Sequence, residues 1–181
     1  MRESISGLKT CVKAVLVLVL ALFQAAPTAF AFTANSKAER SYREEKYDDA
    51  LEFYDKALEK KPADPDLGYN RAVVLYRKGE FEPSEEAFVY SAVSGGKTLE
   101  ADATYNTGNA KYRIGETLEV GNNVQGAIHK YKEALDYYKR AIELDPADPD
   151  PKYNHEFLSE KIEKLMEEQP KQPQQDQKDQ E

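Results

Sequence analysis

The sequence predicts an all-α solenoid of three stacked helical hairpins closed by a C-terminal capping helix. Three observations carry that prediction. The pentapeptide Pro-Ala-Asp-Pro-Asp occurs twice, at 62–66 and at 146–150. Aromatic residues recur at a fixed distance, with 34 residues separating Tyr42 from Tyr76 and Tyr47 from Phe81. A small–aromatic–small triplet appears three times, as Ala50, Tyr54, Ala57, as Ser84, Phe88, Ser91, and as Ala134, Tyr138, Ala141. Residues three and four apart share one helix face, so each triplet describes a face that lets a neighbouring helix approach at its small residues and fills the remaining space with a ring.

The elements follow in order from this register. Residues 1–31 read as a secretory leader: Arg2, Lys9 and Lys13 precede the apolar run 14–23, and Ala29-Phe30-Ala31 has the small-x-small form of a cleavage site. Cleavage there starts the mature chain at Phe32 and places it in the periplasm; an uncleaved N-terminal membrane anchor is the alternative. Cys11 lies before the apolar run, which excludes the lipoprotein pattern, and its loss with the leader leaves a mature chain without cysteine. Helices are expected over 34–44, 47–60, 65–78, 81–93, 99–115, 123–144 and 149–168. Asp64-Pro65 and Asp148-Pro149 each supply an N-cap carboxylate followed by proline at the first helical position. The repeats then occupy 32–64, 65–98 and 99–148.

Two irregularities interrupt the period. Tyr69 to Tyr105 is 36 residues, and Gly95-Gly96 is expected to form a longer turn. Gly79 lies 2 residues before Phe81, but Gly115 lies 16 before Tyr131, so fourteen residues are inserted in the third repeat. With Gly121-Asn122-Asn123 as a turn signal, the insert is expected to form a loop near 116–122 and a lengthened second helix. Residues 149–169 carry Tyr153, Phe157, Leu158, Ile162, Leu165 and Met166 on an amphipathic capping helix. Residues 170–181 contain only Pro, Gln, Lys, Asp and Glu, and are expected to be a disordered Gln-rich tail.

Composition excludes several functions. The chain has 181 residues and a formal net charge of −8, and removing the leader takes this to −10. Such acidity argues against nucleic-acid binding, which needs a basic patch. One cysteine excludes a disulfide framework and a four-cysteine metal site. His129 and His155 fall on different expected helices without a ligand pattern around them, so no metal is expected. Gly95-Gly96-Lys97-Thr98 lacks the upstream glycine and the strand of a phosphate loop. No cofactor and no catalytic centre are expected, and with the leader removed no segment is left to enter a membrane. The expected function is the binding of a protein or peptide segment; the oligomeric state is open.

The 34-residue period, with Ala50, Tyr54, Ala57 and Pro62 and again Ala134, Tyr138, Ala141 and Pro146, resembles the tetratricopeptide repeat (TPR). The resemblance implies that the first helix of each repeat lines a groove for a ligand. The residues placed there are Tyr42 and Arg43; Tyr69, Asn70, Val73, Tyr76 and Arg77; and Tyr105, Asn106, Asn109, Tyr112 and Arg113. Asparagine amides can both donate to and accept from an extended backbone, tyrosines offer rigid contact area, and the arginines can pair acidic side chains. A purely structural reading stands beside this one, since tyrosine is common at these places in the repeat. TPR proteins that bind chaperone tails use a clamp of lysines, asparagines and an arginine. At the matching places stand Asn35, Glu39, Asn70, Asp102 and Asn106, of which only Asn70 agrees, while Glu39 and Asp102 would repel a terminal carboxylate.

A leader, the motif Tyr-Asn-x-Gly-Asn-Ala at 105–110, Asp-Pro-Lys-Tyr-Asn at 150–154 and a Gln-rich tail together resemble the TPR components of the bacterial Bat aerotolerance operons. That resemblance implies a periplasmic scaffold working with membrane proteins that carry von Willebrand factor A (VWA) domains and with a MoxR-type ATPase. A general assembly factor for peptidoglycan or pilus machinery is the alternative.

Overall fold

The computed structural model describes residues 34–168, and all regular structure among them is helical. The expected leader at 1–31, Cys11, the expected start of a mature chain at Phe32 and the expected disordered tail at 170–181 lie outside the described residues. The chain divides into two compact units between Gly95 and Gly96. Among the described residues no helix is long and apolar enough to cross a membrane.

The N-terminal unit contains α1 (34–43), α2 (Tyr47–Leu58), α3 (Pro65–Lys78) and α4 (Phe81–Ser94). Its packing follows the small–aromatic–small pattern. Ala38, Ala50 and Ala57 are fully buried around Tyr54, with Leu67 and Val74 of α3 closing the cluster. Burial, followed by the charge of Glu39, pushes the Tyr54 phenol up to about 12. In the next hairpin Ser84, Phe88 and Ser91 are buried in the same roles. The two serines need hydrogen-bond partners there: Ser84 Oγ donates to the Ala72 carbonyl at 2.9 Å, and Ser91 Oγ to the Ala87 carbonyl at 3.0 Å.

Asp64 caps α3 as expected, its carboxylate accepting from the Leu67 N–H at 3.1 Å. The other expected cap differs. Helix α7 begins at Asp150 rather than 149, with Pro149 at its N-cap, and Asp148 accepts from the Asp150 N–H in a tight local turn. A second proline, Pro151, sits in the first turn, where its missing N–H costs nothing.

The C-terminal unit contains α5 (Lys97–Val120), α6 (Val124–Leu144) and α7 (Asp150–Glu167). The Gly95-Gly96 turn is short, not long: these two residues alone separate α4 from α5, and the extra length of the period enters α5 instead. The expected loop at 116–122 is likewise corrected. Helix α5 runs through Gly115 to Val120, and only residues 121–123 turn.

A single turn type explains the change. α1, α3 and α5 all end on a left-handed residue: Glu45 (φ 58°), Gly79 (φ 84°) and Asn122 (φ 59°). Each time, the N–H of the following residue reaches back to a carbonyl five positions upstream, from Lys46 to Ser41, Glu80 to Leu75 and Asn123 to Leu118. The turn has moved seven residues past Gly115, and α6 starts seven residues before Tyr131. The fourteen-residue insertion is therefore two extra helical turns on each arm of the hairpin, about 10 Å of added length. Seven residues are close to two full turns, so the packing face is kept, and Leu118, Val124, Ala127 and Ile128 extend the same core.

Two glycines of α5 face rings of α6. A Cβ at Gly108 would lie 2.6 Å from Tyr138 Cε1, and one at Gly115 would lie 2.4 Å from Tyr131 Cε1. Helix α7 carries Tyr153-Asn154 in register with Tyr105-Asn106. In that register Glu156 replaces Gly108 and Glu163 replaces Gly115, and both glutamates are exposed.

Candidate peptide-binding surface

The expected site residues fall into two groups, one in each unit. In the N-terminal unit Tyr42 and Arg43 come from the last turn of α1, and Tyr69, Asn70, Val73, Tyr76 and Arg77 from α3. The tyrosines are half-buried because their rings complete the hairpins. Tyr42 meets Tyr47 at a centroid distance of 5.9 Å, Tyr76 meets Phe81 at 5.4 Å, and Tyr69 meets Phe88 edge-on at 5.4 Å. Asn70 and Val73 are half-buried, and Arg43 and Arg77 are exposed. A hydrogen bond joins the two helices: Arg77 Nε donates to Tyr42 Oη at 3.3 Å.

In the C-terminal unit α7 engages the expected residues. Asn154 Nδ2 donates to Tyr105 Oη at 3.0 Å and to Asn109 Oδ1 at 3.1 Å. Asn109 Oδ1 also accepts from Tyr138 Oη at 2.9 Å, and its amide nitrogen donates to Asn106 Oδ1 at 3.3 Å. Asn106 itself donates to the Asp102 carbonyl at 3.0 Å. The Asn109 side chain thus spends both ends on the unit's own packing. Tyr112 stacks on Tyr131 at 5.6 Å, meets Phe157 edge-on at 6.3 Å and donates to Glu116 at 2.8 Å. Arg113 pairs with Glu116 at 2.8 Å.

Residues absent from the expected set complete this arrangement. Tyr131 is fully buried, and its hydroxyl donates to Glu119 at 2.5 Å. Burial, followed by that hydrogen bond to a carboxylate, holds the phenol well above its ordinary range. Lys161 of α7 pairs with the same Glu119 at 2.8 Å and stands 5.4 Å over the Tyr131 ring. Register was the available signal. Lys161 follows Tyr153 by eight residues, as Arg77 follows Tyr69 and Arg113 follows Tyr105.

A second charged group lies between α5 and α6. Lys111, only 8% exposed, pairs with Glu133 at 2.8 Å, and Lys130 reaches the same oxygen at 2.9 Å. Burial alone would raise the Glu133 pKa, but the hydrogen bonds from Lys111 and Lys130 outweigh it and bring the carboxyl down to about 2. His129 Nε2 is 3.2 Å from the other Glu133 oxygen and is largely exposed. Among the described residues no group of three His, Cys, Asp or Glu side chains could hold a metal ion.

A family model described as "TPR repeat" matches residues 39–79, and one described as "Tetratricopeptide repeat" matches 127–148. No curated protein matches the chain. Several solved structures share the fold. The Sgt2 TPR domain from Aspergillus fumigatus is 23% identical with a TM-score of 0.62, covering 81% of this chain and 89% of that one. The Arabidopsis OM64 TPR domain is 20% identical with a TM-score of 0.61, covering 75% and 98%. The second TPR domain of human RPAP3, solved with the HSP70 peptide SGPTIEEVD, is 19% identical with a TM-score of 0.61, covering 74% and 98%. Hairpins joined at recurring left-handed turns, alanine or serine faces closed on buried rings, and these matches lead to one conclusion: the chain carries tetratricopeptide repeats.

Proposed function

We propose that the chain is an exported, non-catalytic adaptor that holds an extended segment of another protein on the helix surface formed by α1 and α3. The observation that carries this reading is the Arg77–Tyr42 bond between the two helices, with Arg43 and Arg77 exposed and Asn70 half-buried two turns before Arg77 on α3. Polar groups fixed around a rigid aromatic seat suit a peptide, because little side-chain freedom is left to lose on binding. The human RPAP3 domain of similar fold binds a peptide of HSP70, which supports peptide capture as the mode. The specific ligand differs here, since Glu39 on α1 opposes a terminal carboxylate.

The finer reading places the adaptor in the periplasm, in a cell-envelope complex with VWA-domain membrane proteins of a Bat/MoxR-type system. It rests on the leader-like residues 1–31 and on the motifs at 105–110 and 150–154. The test is photocrosslinking from position 70 in cells, with the adduct identified by mass spectrometry, and determination of the native N-terminus. Adducts with a VWA-domain protein and a chain starting at Phe32 are expected. Adducts with peptidoglycan or pilus machinery replace the Bat reading, and the absence of any adduct at position 70 overturns peptide capture on this surface.

A further inference from the structure

Four helices carry a cation at one repeat position: Arg43 of α1, Arg77 of α3, Arg113 of α5 and Lys161 of α7. The two units treat these cations differently. In the C-terminal unit both are neutralised from within, Arg113 by Glu116 and Lys161 by Glu119. Both carboxylates belong to the two turns by which α5 continues past Gly115. In the N-terminal unit α1 and α3 turn at Glu45 and Gly79 instead of continuing, so no helical extension carries carboxylates back to their arginines. Of the acids beside those turns, Glu44, Asp48 and Glu80 are already engaged, and Glu45 forms no ion pair with either arginine among the described residues. Glu44 is held by Arg40 at 2.9 Å and Lys46 at 2.8 Å, while Lys78 holds Asp48 at 2.7 Å and Glu80 at 2.8 Å. Among the described residues neither Arg43 nor Arg77 has a carboxylate within 4 Å. In a chain of net charge −8 with 33 acidic residues, two exposed arginines left unpaired on one surface are a specific omission.

Arg77 is also held in place. Its Nε donates to the Tyr42 hydroxyl, a neutral acceptor that leaves the guanidinium charge intact. The two terminal nitrogens keep their donors for a ligand, in the planar fork that a carboxylate accepts in bidentate fashion. Tyr42 is fixed in turn by its contact with Tyr47. We propose that Arg43 and Arg77 form an anion-recognising pair, specific to the N-terminal unit, that binds side-chain carboxylates of an acidic peptide segment. Glu39, one turn before Arg43 on α1, puts a negative charge beside the pair and opposes a terminal carboxylate there, which favours an internal acidic stretch. This inference rests on the reading of α1 and α3 as a peptide-holding surface and adds the charge of the ligand and the unit that takes it.

The test uses the full mature chain and a display library of random dodecapeptides, followed by fluorescence anisotropy on the selected peptides with both termini blocked. Selected sequences are expected to be enriched in Asp and Glu and to bind more weakly as salt is raised, because exposed charge pairs are screened. Arg43→Gln with Arg77→Gln should weaken their binding roughly ten- to a hundred-fold. Tyr42→Phe, which only frees the Arg77 side chain, should cost about two- to fivefold with the circular dichroism spectrum unchanged. Lys132→Gln with Lys139→Gln on α6 removes the same charge and should stay within about twofold. If the double arginine variant fails to fold, the Tyr42→Phe loss and the salt dependence decide. Peptides selected without acidic enrichment, or insensitive to the arginine and Tyr42 changes, overturn this inference and leave peptide capture standing. Failure to select any peptide removes both.

Discussion

Replacing Gly115 by alanine should destabilise the C-terminal unit, although alanine is the better helix former. The new Cβ would lie 2.4 Å from Tyr131 Cε1 and 2.6 Å from Cδ1, distances at which the ring must move. The ring has nowhere to go. It is fully buried, Tyr112 stacks on it at 5.6 Å, and Lys161 sits 5.4 Å from its centroid. Its hydroxyl is tied to Glu119 at 2.5 Å, so any shift also disturbs a partly buried hydrogen bond. Overpacking a filled site costs about 1–3 kcal/mol, and a pinned ring belongs in the upper part of that range. Exchanging glycine for alanine inside a helix returns about 1 kcal/mol. The net expectation is a loss of about 1–2 kcal/mol, or a fall in melting temperature of about 5–15 °C for a unit of this size. Urea titration and calorimetry of the full chain measure it. Gly121→Ala is the control, since its Cβ would meet only backbone oxygens, at 3.4 Å or more, and it should remain within about 0.5 kcal/mol of the parent. A Gly115→Ala chain that melts at or above the parent temperature refutes the claim that this position is glycine for want of space.

Two further outcomes follow from the charged and polar contacts of the same unit. The Glu133 carboxyl is held down to about 2, so its stabilisation is complete above its unfolded value near 4.5 and is lost as pH falls through about 2. Glu133→Gln should therefore lower stability at pH 7 by about 1–3 kcal/mol, less than for a wholly buried pair because the side chain is 31% exposed. Parent and variant curves should converge near pH 2 in denaturant titrations at stepped pH, and an unchanged gap there would contradict the Lys111–Glu133 account. Asn154→Ala removes the donor to Tyr105 and Asn109, and should cost about 1–2 kcal/mol while speeding amide exchange across α7 more than across α2. Equal acceleration in both helices would mean that Asn154 does not hold α7 in place.

The all-α fold was legible because helix approach constrains side-chain size. Ala50, Tyr54 and Ala57, or Ser84, Phe88 and Ser91, leave a spacing that other residues cannot mimic, and all six are buried. The lengthened second helix of the third hairpin was legible, but the continuation of α5 past Gly115 was not, because glycine does two different jobs. Gly79 ends α3 by taking a left-handed conformation, so Gly115 at the equivalent place read as a helix end. In fact Gly115 makes room for the Tyr131 ring in mid-helix, and the left-handed turn passes to Asn122. Glu45 hides the same turn behind a residue that rarely adopts it. The candidate surface was legible as residue types but not as ownership. Spacing put Asn109 beside Tyr105 on one face, yet its amide is consumed by Tyr138 and Asn154, the latter 45 residues away in sequence. A partner supplied by a distant helix leaves no local trace.

Glu156 and Glu163 of α7 set where this architecture can stop growing. A fourth hairpin would have to bring aromatic rings against those two places, as α6 does at Gly108 and Gly115. Carboxylates there would be stripped of water with nothing to receive them. Appending another repeat after residue 168 should therefore yield a dangling helix, unless both glutamates are first changed to glycine. Two acidic letters thus decide whether a further aromatic face can close on α7.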